Sequence, residues 1–263
     1  MKFILAIAGS DSCGGAGIQA DIKTITSLEA HALTVLTAVT AQSSRGVTAV
    51  HTLPASFVSL QLESVMHDVV PHALKIGMVY TRAVVKEIAR FLKERRPAHV
   101  VLDPLIRATT GRELLLPRAL TSLKKDLLPL ATIVTPNTYE AGILADMKVD
   151  NLRHMKQAAE VLQAKGPDVV ITGGHLQGDC VDLLYDGKDF YEFRGSRIDT
   201  KHTHGSGCVF STALATFLAI EKDTVKATEM AHDFARRAIM GGYACGRGPG
   251  PVQAAVGRQG HTS

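Results

Sequence analysis

The sequence contains no close pair of cysteines. Its four, Cys13, Cys180, Cys208 and Cys245, are spread across 263 residues. That spacing excludes a zinc ribbon and a thioredoxin-like dithiol, and it fits thiols kept reduced. No secretory leader is expected, because the opening apolar run, Phe3 to Ala8, is only six residues long, too short for a secretory h-region. The longest small and apolar stretch, Val209 to Ile220, is too short to span a bilayer. No dense basic run appears. Lys93-Glu94-Arg95-Arg96 is the nearest approach to one and reads as the solvated end of a helix, so neither nucleic acid nor a membrane is an expected partner. These absences describe a cytoplasmic protein that acts on small molecules. Its net charge of +4 is modest and tolerates acidic substrates without requiring them.

Two nucleotide-binding signatures are also missing. Gly15 and Gly17 have the spacing of the dinucleotide fingerprint, but its third glycine is replaced by Ala20. No Gly-Lys-Ser/Thr follows, which excludes a Walker loop. There is no internal repeat and no linker, so one domain over residues 1–263 is expected, with a disordered polar tail from about residue 257.

The residues that are present alternate. Phe3 to Ala8 reads as a strand buried on both faces, and it runs into the glycine-rich turn 9–17. Ile18, Ile22, Ile25 and Leu28 then recur at helical spacing. His99 to Leu102 stops at Asp103-Pro104, Ala131 to Val134 at Thr135-Pro136-Asn137, and Asp168 to Ile171 at Thr172-Gly173-Gly174-His175. Apolar strands that end in polar or glycine clusters and lead into helices imply a mostly parallel sheet with helices on both faces. Ligands in such sheets bind beyond the carboxyl ends of the strands. Asp186-Gly187, flanked by Val181 to Tyr185 and Phe190 to Phe193, predicts an antiparallel edge hairpin.

One stretch stands out. Thr203-His204-Gly205-Ser206-Gly207-Cys208 leads into the apolar segment 209–220. Two glycines allow close backbone approach, and a helix start aims free N–H groups and a positive dipole at whatever lies there, which makes an anion site. On its own the stretch reads equally as an ordinary loop ahead of a core helix. His175 and the pair His202/His204 invite a metal reading, but two histidines two apart with no third ligand are weak support for one.

Several runs together closely resemble the hydroxymethylpyrimidine and phosphomethylpyrimidine kinases of thiamin synthesis. They are Ile7 to Asp11 with Gly14 to Asp21, Gln42 with Arg45-Gly46-Val47, Lys75 to Met78, Thr135 to Asn137 with Glu140-Ala141, Thr203 to Cys208 with Ser211, and Gly248 to Val252. The resemblance implies a ribokinase-like fold, a three-layer α/β/α sandwich with a mostly parallel central sheet and an antiparallel edge hairpin. It implies ATP and Mg²⁺, and a homodimer. It assigns the backbone of Gly205, Ser206, Gly207 and Cys208 to the transferred group, and the role of base to Cys208, whose pKa a helix N-terminus would lower. Against that role stands the ordinary buried thiol.

The same resemblance places the substrate against Ala16, Asp21, Gln42 and Met78. A carboxamide such as that of Gln42 can donate to a ring nitrogen and accept from the amine beside it. Asp21 would bind the hydroxymethyl group, and Ala16 and Met78 would wall the ring. Asn137, Glu140 and Thr172 face the nucleotide, and Asp103 and Glu140 the magnesium. By pattern alone Asp103 is a turn residue, and Asn137 with Glu140 a helix cap. The chain departs from the family at two points: Thr172 and Thr109 stand where lysines are usual. A pyridoxal kinase of the same superfamily and a non-catalytic pyrimidine sensor are the rival readings.

Overall fold

The computed structural model describes residues 1–108, 111–174, 176 and 180–256. Thr109, Thr110, His175 and the tail from 257 lie outside the described residues, and so do the expectations attached to them.

Nine strands form one sheet in the order β3-β2-β1-β4-β5-β6-β7-β8-β9. The six central strands are β2 (His31–Ser43), β1 (Phe3–Asp11), β4 (Ala73–Ile76), β5 (Val100–Leu102), β6 (Ile133–Val134) and β7 (Asp168–Ile171), and all pair in parallel. At one edge β8 (Cys180–Tyr185) and β9 (Phe190–Gly195) run antiparallel across the Asp186-Gly187 turn. The opposite edge is antiparallel too, where β3 (Gly46–Thr52) returns along β2. Only Ser44 and Arg45 separate those two strands, and so short a connection permits no parallel crossover.

The pleat of β1 shows how the layers arise. Leu5 and Ile7 belong to one core and Ile4, Ala6 and Ala8 to the other, as the period of two requires. The first core is covered by α2 (Ala55–Asp68), α3 (Arg82–Arg95), α4 (Pro117–Ser122), α5 (Thr138–Ala145) and α6 (Leu152–Gln163). A π-helical turn over Leu123–Leu127 continues α4. The second core is covered by α1 (Gly17–Ser27), α7 (Ser206–Glu221) and α8 (Thr224–Met240). The fold is therefore a three-layer α/β/α sandwich. The largely apolar and small-residue α7 is buried almost all round because it lies between α1 and α8 and against the sheet.

The chain leaves β1 for β2 on one side and later resumes at β4 on the other. The carboxyl ends of β1 and β4 therefore flank a crevice of the kind in which doubly wound sheets bind ligands. No helix among the described residues is long and apolar enough to cross a membrane.

Leu5 has no exposed surface, and its methyls fill the space between β1 and the first helical layer. Leu5→Ala is expected to lower stability by about 2–5 kcal/mol. Urea unfolding would show this as a lower midpoint with an unchanged slope, and a loss below about 1 kcal/mol would contradict the packing described.

Candidate active site

A cavity of about 450 Å³ opens at the carboxyl ends of the strands. It brings together Ala16, Gln42, Met78, Asp103, Asn137, Glu140, Thr172 and the turn Gly205 to Cys208, residues drawn from seven different parts of the chain. Backbone conformation explains how closely these segments approach. Gly205 caps α7 with φ 84°, and a Cβ there would lie 1.9 Å from the carbonyl oxygen of Gly15. Gly17 has φ 57°, and a Cβ there would lie 2.4 Å from Gly9 O. Only glycine permits either contact. The Gly17 amide donates to the sulfur of Cys208, so the first turn of α1 touches the first turn of α7.

The glycine loop is organised by Asp11. Its Oδ1 accepts from the Cys13 amide at 2.8 Å, and its Oδ2 accepts from the amides of Gly15 at 3.1 Å and Ala16 at 2.9 Å. His204 Nε2 lies 2.8 Å from the same Oδ2. Burial pushes the Asp11 carboxyl up, but these hydrogen bonds outweigh burial and hold it below its ordinary value.

Beneath the cavity lies a buried charge cluster. Lys75 has no exposed surface and donates to Asp21 Oδ1 at 2.9 Å, where the Thr212 hydroxyl also donates at 2.6 Å. Burial alone would push the ammonium down; Asp21, Cys208 and Asp103 reverse this and hold it above its usual range. Asp21 therefore departs from expectation. It is fully buried and is absent from the cavity lining, because its carboxylate is turned inward onto Lys75 and Thr212. Cys208 also departs from expectation. Burial, reinforced by Asp103 and Asp21, pushes its thiol up to about 12 despite the helix start and the nearby Lys75. Desolvation of the thiolate outweighs the dipole here.

One turn along α7 from Cys208, Ser211 Oγ donates to Asp103 Oδ2 at 3.1 Å. Burial raises the Asp103 carboxyl against the pull of Lys75. Burial first, and the Asp103 charge next, push Glu140 up to about 8. Asn137 and Glu140 form a complete capping box at the start of α5, and Glu140 also accepts from the Ile106 amide at 3.2 Å. Each Glu140 oxygen thus takes one backbone N–H and keeps a lone pair in reserve. Thr172, at the end of β7, is bridged to Asn137. The next turn is held by Asp182, which accepts from the Gly173 amide at 3.0 Å and pairs with His232 at 2.7 Å. Arg107 also lines the cavity, with its guanidinium 5.0 Å from the ring centroid of Tyr139.

Sequence reading assigned no role to Asp11, Lys75 or Arg107. Lys75 carried a signal of its own, as the one charged residue in the short apolar strand Ala73–Ile76. The histidine pair serves neither as a cluster nor as a ladder: His204 joins Asp11 and Gln42, while His202 Nδ1 accepts from the Gly250 amide at 3.0 Å.

Comparison with known proteins agrees with this geometry. The family model described as phosphomethylpyrimidine kinase matches residues 11–253. A hydroxymethylpyrimidine/phosphomethylpyrimidine kinase of Streptomyces coelicolor is 43% identical over 250 residues, 95% of this chain and 93% of that protein. The thiamine biosynthesis bifunctional protein ThiED of Geobacter sulfurreducens is 43% identical over 251 residues; the match takes in 95% of this chain, which spans about half (51%) of that longer protein. Among solved structures, a pyridoxal kinase of Bacillus subtilis in complex with ADP superposes with a TM-score of 0.91 at 35% identity, covering 97% of this chain and 98% of that one.

Asp21→Asn is expected to cost about 3–5 kcal/mol, because it leaves a buried ammonium without its counter-charge. Replacing both partners with Lys75→Met and Asp21→Leu should recover most of that loss in chemical denaturation, and a double variant no better than the single one would contradict the cluster's reading. Asp11 gives a pH prediction. Its folded pKa lies below the ordinary 3.8, so its stabilisation is complete above that value and is lost as pH falls through the folded pKa. In thermal melts, Asp11→Asn should flatten the fall in Tm below about pH 4, and an unchanged acid limb would refute the assignment.

Proposed function

The chain belongs to the phosphomethylpyrimidine kinase family, and from that membership we propose that it phosphorylates 4-amino-5-hydroxymethyl-2-methylpyrimidine and then its monophosphate, with ATP as donor. One observation carries the reading: the start of α7 opens into the same cavity as Gln42 and Met78 on one side and the carboxylates of Asp103 and Glu140 on the other. The arrangement joins an anion cradle to a ring-sized apolar wall and to a cation-compatible acid pair.

Phosphoryl transfer asks the protein for positioning and charge stabilisation. The first-turn amides at Gly207 and Cys208 have no intrahelical carbonyl to bond and, with the amide of Gly205, cradle the oxygens of the transferred group; the Ser206 amide is given to the Thr203 carbonyl at 3.2 Å, so Ser206 joins the cradle through its hydroxyl. Ala16 and Met78 wall the ring, and Gln42 reads its polar edge. Asp21 contributes through Lys75 alone. Cys208 rests as a thiol and can act as base only as its thiolate, so it first gives its own proton to solvent, with the Lys75 ammonium offsetting the thiolate charge, and the thiolate then takes the proton of the attacking hydroxyl. The monophosphate acceptor brings an oxygen that is already ionised and needs no base.

Asp103 and Glu140 fit a hard divalent cation: both are buried oxygen donors whose raised pKa a positive charge would relieve. No group of three or more His, Cys, Asp or Glu among the described residues could hold a metal ion without help, so Mg²⁺ at this place would share its coordination with nucleotide phosphates. The cation would supply charge neutralisation on the phosphate oxygens. Asn137 and Thr172 border that end of the cavity on the nucleotide side. A homodimer and a cytoplasmic location belong to the same proposal.

A pyridoxal kinase is the second reading, favoured by the structural likeness to a protein of that name. Comparing kcat/KM for pyridoxal and for the aminopyrimidine alcohol decides between them, and a strong preference for pyridoxal would overturn our choice. ATP consumption that depends on added pyrimidine would exclude a non-catalytic sensor. Cys208→Ala should cut alcohol phosphorylation by about 100-fold or more and monophosphate phosphorylation far less; equal losses on both acceptors would remove Cys208 as the base.

A further inference from the structure

The Gln42 carboxamide sits between two polar neighbours. As placed, its Oε1 lies 3.2 Å from Thr40 Oγ1 and its Nε2 lies 3.2 Å from His204 Nε2. Both neighbours are already committed. Thr40 Oγ1 is 2.9 Å from the Ser10 carbonyl, which can only accept, so the single hydroxyl proton points there. What Thr40 then offers Gln42 is a lone pair. His204 Nε2 is 2.8 Å from Asp11 Oδ2, a carboxylate that is 4% exposed and held ionised, so Nε2 carries its proton. What His204 turns toward Gln42 is the flank of an N–H already given to Asp11: it has no lone pair to accept an amide N–H, so it disfavours Nε2 there and is compatible with Oε1, which can share the proton. Two independent neighbours therefore favour the same sense, with Oε1 toward His204 and Nε2 toward Thr40.

We infer that His204 is a positioning residue that, together with Thr40, fixes the sense of the Gln42 carboxamide and so determines which ring edge the site accepts. The inference rests on the functional reading above. An amide held in one sense presents one acceptor and one donor side by side in a fixed order. That order suits a ring with an amine beside an acceptor nitrogen. A 4-oxo ring in the same pose presents a carbonyl beside a ring N–H, the opposite order, and needs the carboxamide turned by 180°. To use the fixed amide it would have to turn over, which moves its hydroxymethyl group to the other side of the ring edge, away from its place in the amino pose. The glycine loop secures this device: a Cβ at Gly15 would stand 2.5 Å from His204 Cδ2, so the imidazole is clamped against the loop whose Asp11 orients it.

The test compares phosphorylation of 4-amino-5-hydroxymethyl-2-methylpyrimidine with that of its 4-oxo analogue. The variants are His204→Phe, which keeps a ring but removes the N–H, His204→Gln, which restores a donor, and Thr40→Val, which removes the hydroxyl. Wild type is expected to favour the amino ring in kcat/KM by on the order of 100-fold or more, since the wrong ring leaves buried polar groups unpaired. In His204→Phe and in Thr40→Val the preference should shrink to less than about tenfold, by a loss on the amino ring and a gain on the oxo ring, with KM for ATP unchanged. His204→Gln should restore much of the preference. A merely structural role would lower both rings alike. An unchanged ratio in His204→Phe, or in Thr40→Val if the former does not fold, overturns the inference alone. Wild type that turns over neither ring overturns the functional reading and this inference with it.

Discussion

The site depends on a buried ammonium. Lys75 reaches the interior from a strand whose every residue is buried, and it is tolerated there because Asp21 neutralises it at 2.9 Å and Thr212 fills a second bond to the same carboxylate. The pair ties β4 to α1 and α7, the elements that carry the two glycine turns. A buried ion pair of this kind contributes little net stability, because desolvation consumes most of the Coulombic gain. What it gives is a positive charge in fixed position beside Cys208 and Asp103, where a low effective dielectric makes that charge count. The high thiol pKa, the raised Asp103 and the raised Glu140 all belong to one small volume in which charges of opposite sign offset one another imperfectly.

Around that cluster the site divides in two. The end formed by β1, β2 and β4 presents Gln42, Met78 and the Asp11–His204 pair, suited to a flat polar ring. The end formed by β5, β6 and β7 presents Asp103, Glu140 and the loop held by Asp182, suited to a chain of anionic oxygens with a cation. The start of α7 lies between the two ends. This geometry agrees with in-line transfer between a donor on one side and an acceptor on the other, with backbone amides at the junction.

Much of this was legible in the sequence. The alternation of apolar strands with polar ends predicted a parallel sheet, and the ends did converge on one edge. Asp186-Gly187 marked the β8–β9 hairpin, but the equally tight Ser44-Arg45 turn was not read as a reversal, so the second antiparallel edge was missed. The pairing of Asp21 with Lys75 was not read, because helical spacing fixes the face on which a residue lies but not the partner awaiting it, and that partner comes from a strand 54 residues away. The Cys208 pKa was misjudged because dipole effects can be read from local sequence, whereas burial by α1, the sheet and α8 is a property of the whole fold. The pairing of Asp11 with His204 spans 193 residues and left no local trace.

The proposed activity is two successive phosphoryl transfers on one pyrimidine in one cavity. It is tested most directly by mass analysis of the products formed from ATP, Mg²⁺ and 4-amino-5-hydroxymethyl-2-methylpyrimidine. A species with one added phosphoryl group should form first and be replaced in time by a species with two. A reaction in which the pyrimidine mass never changes, or in which only pyridoxal gains a phosphoryl group, would contradict it.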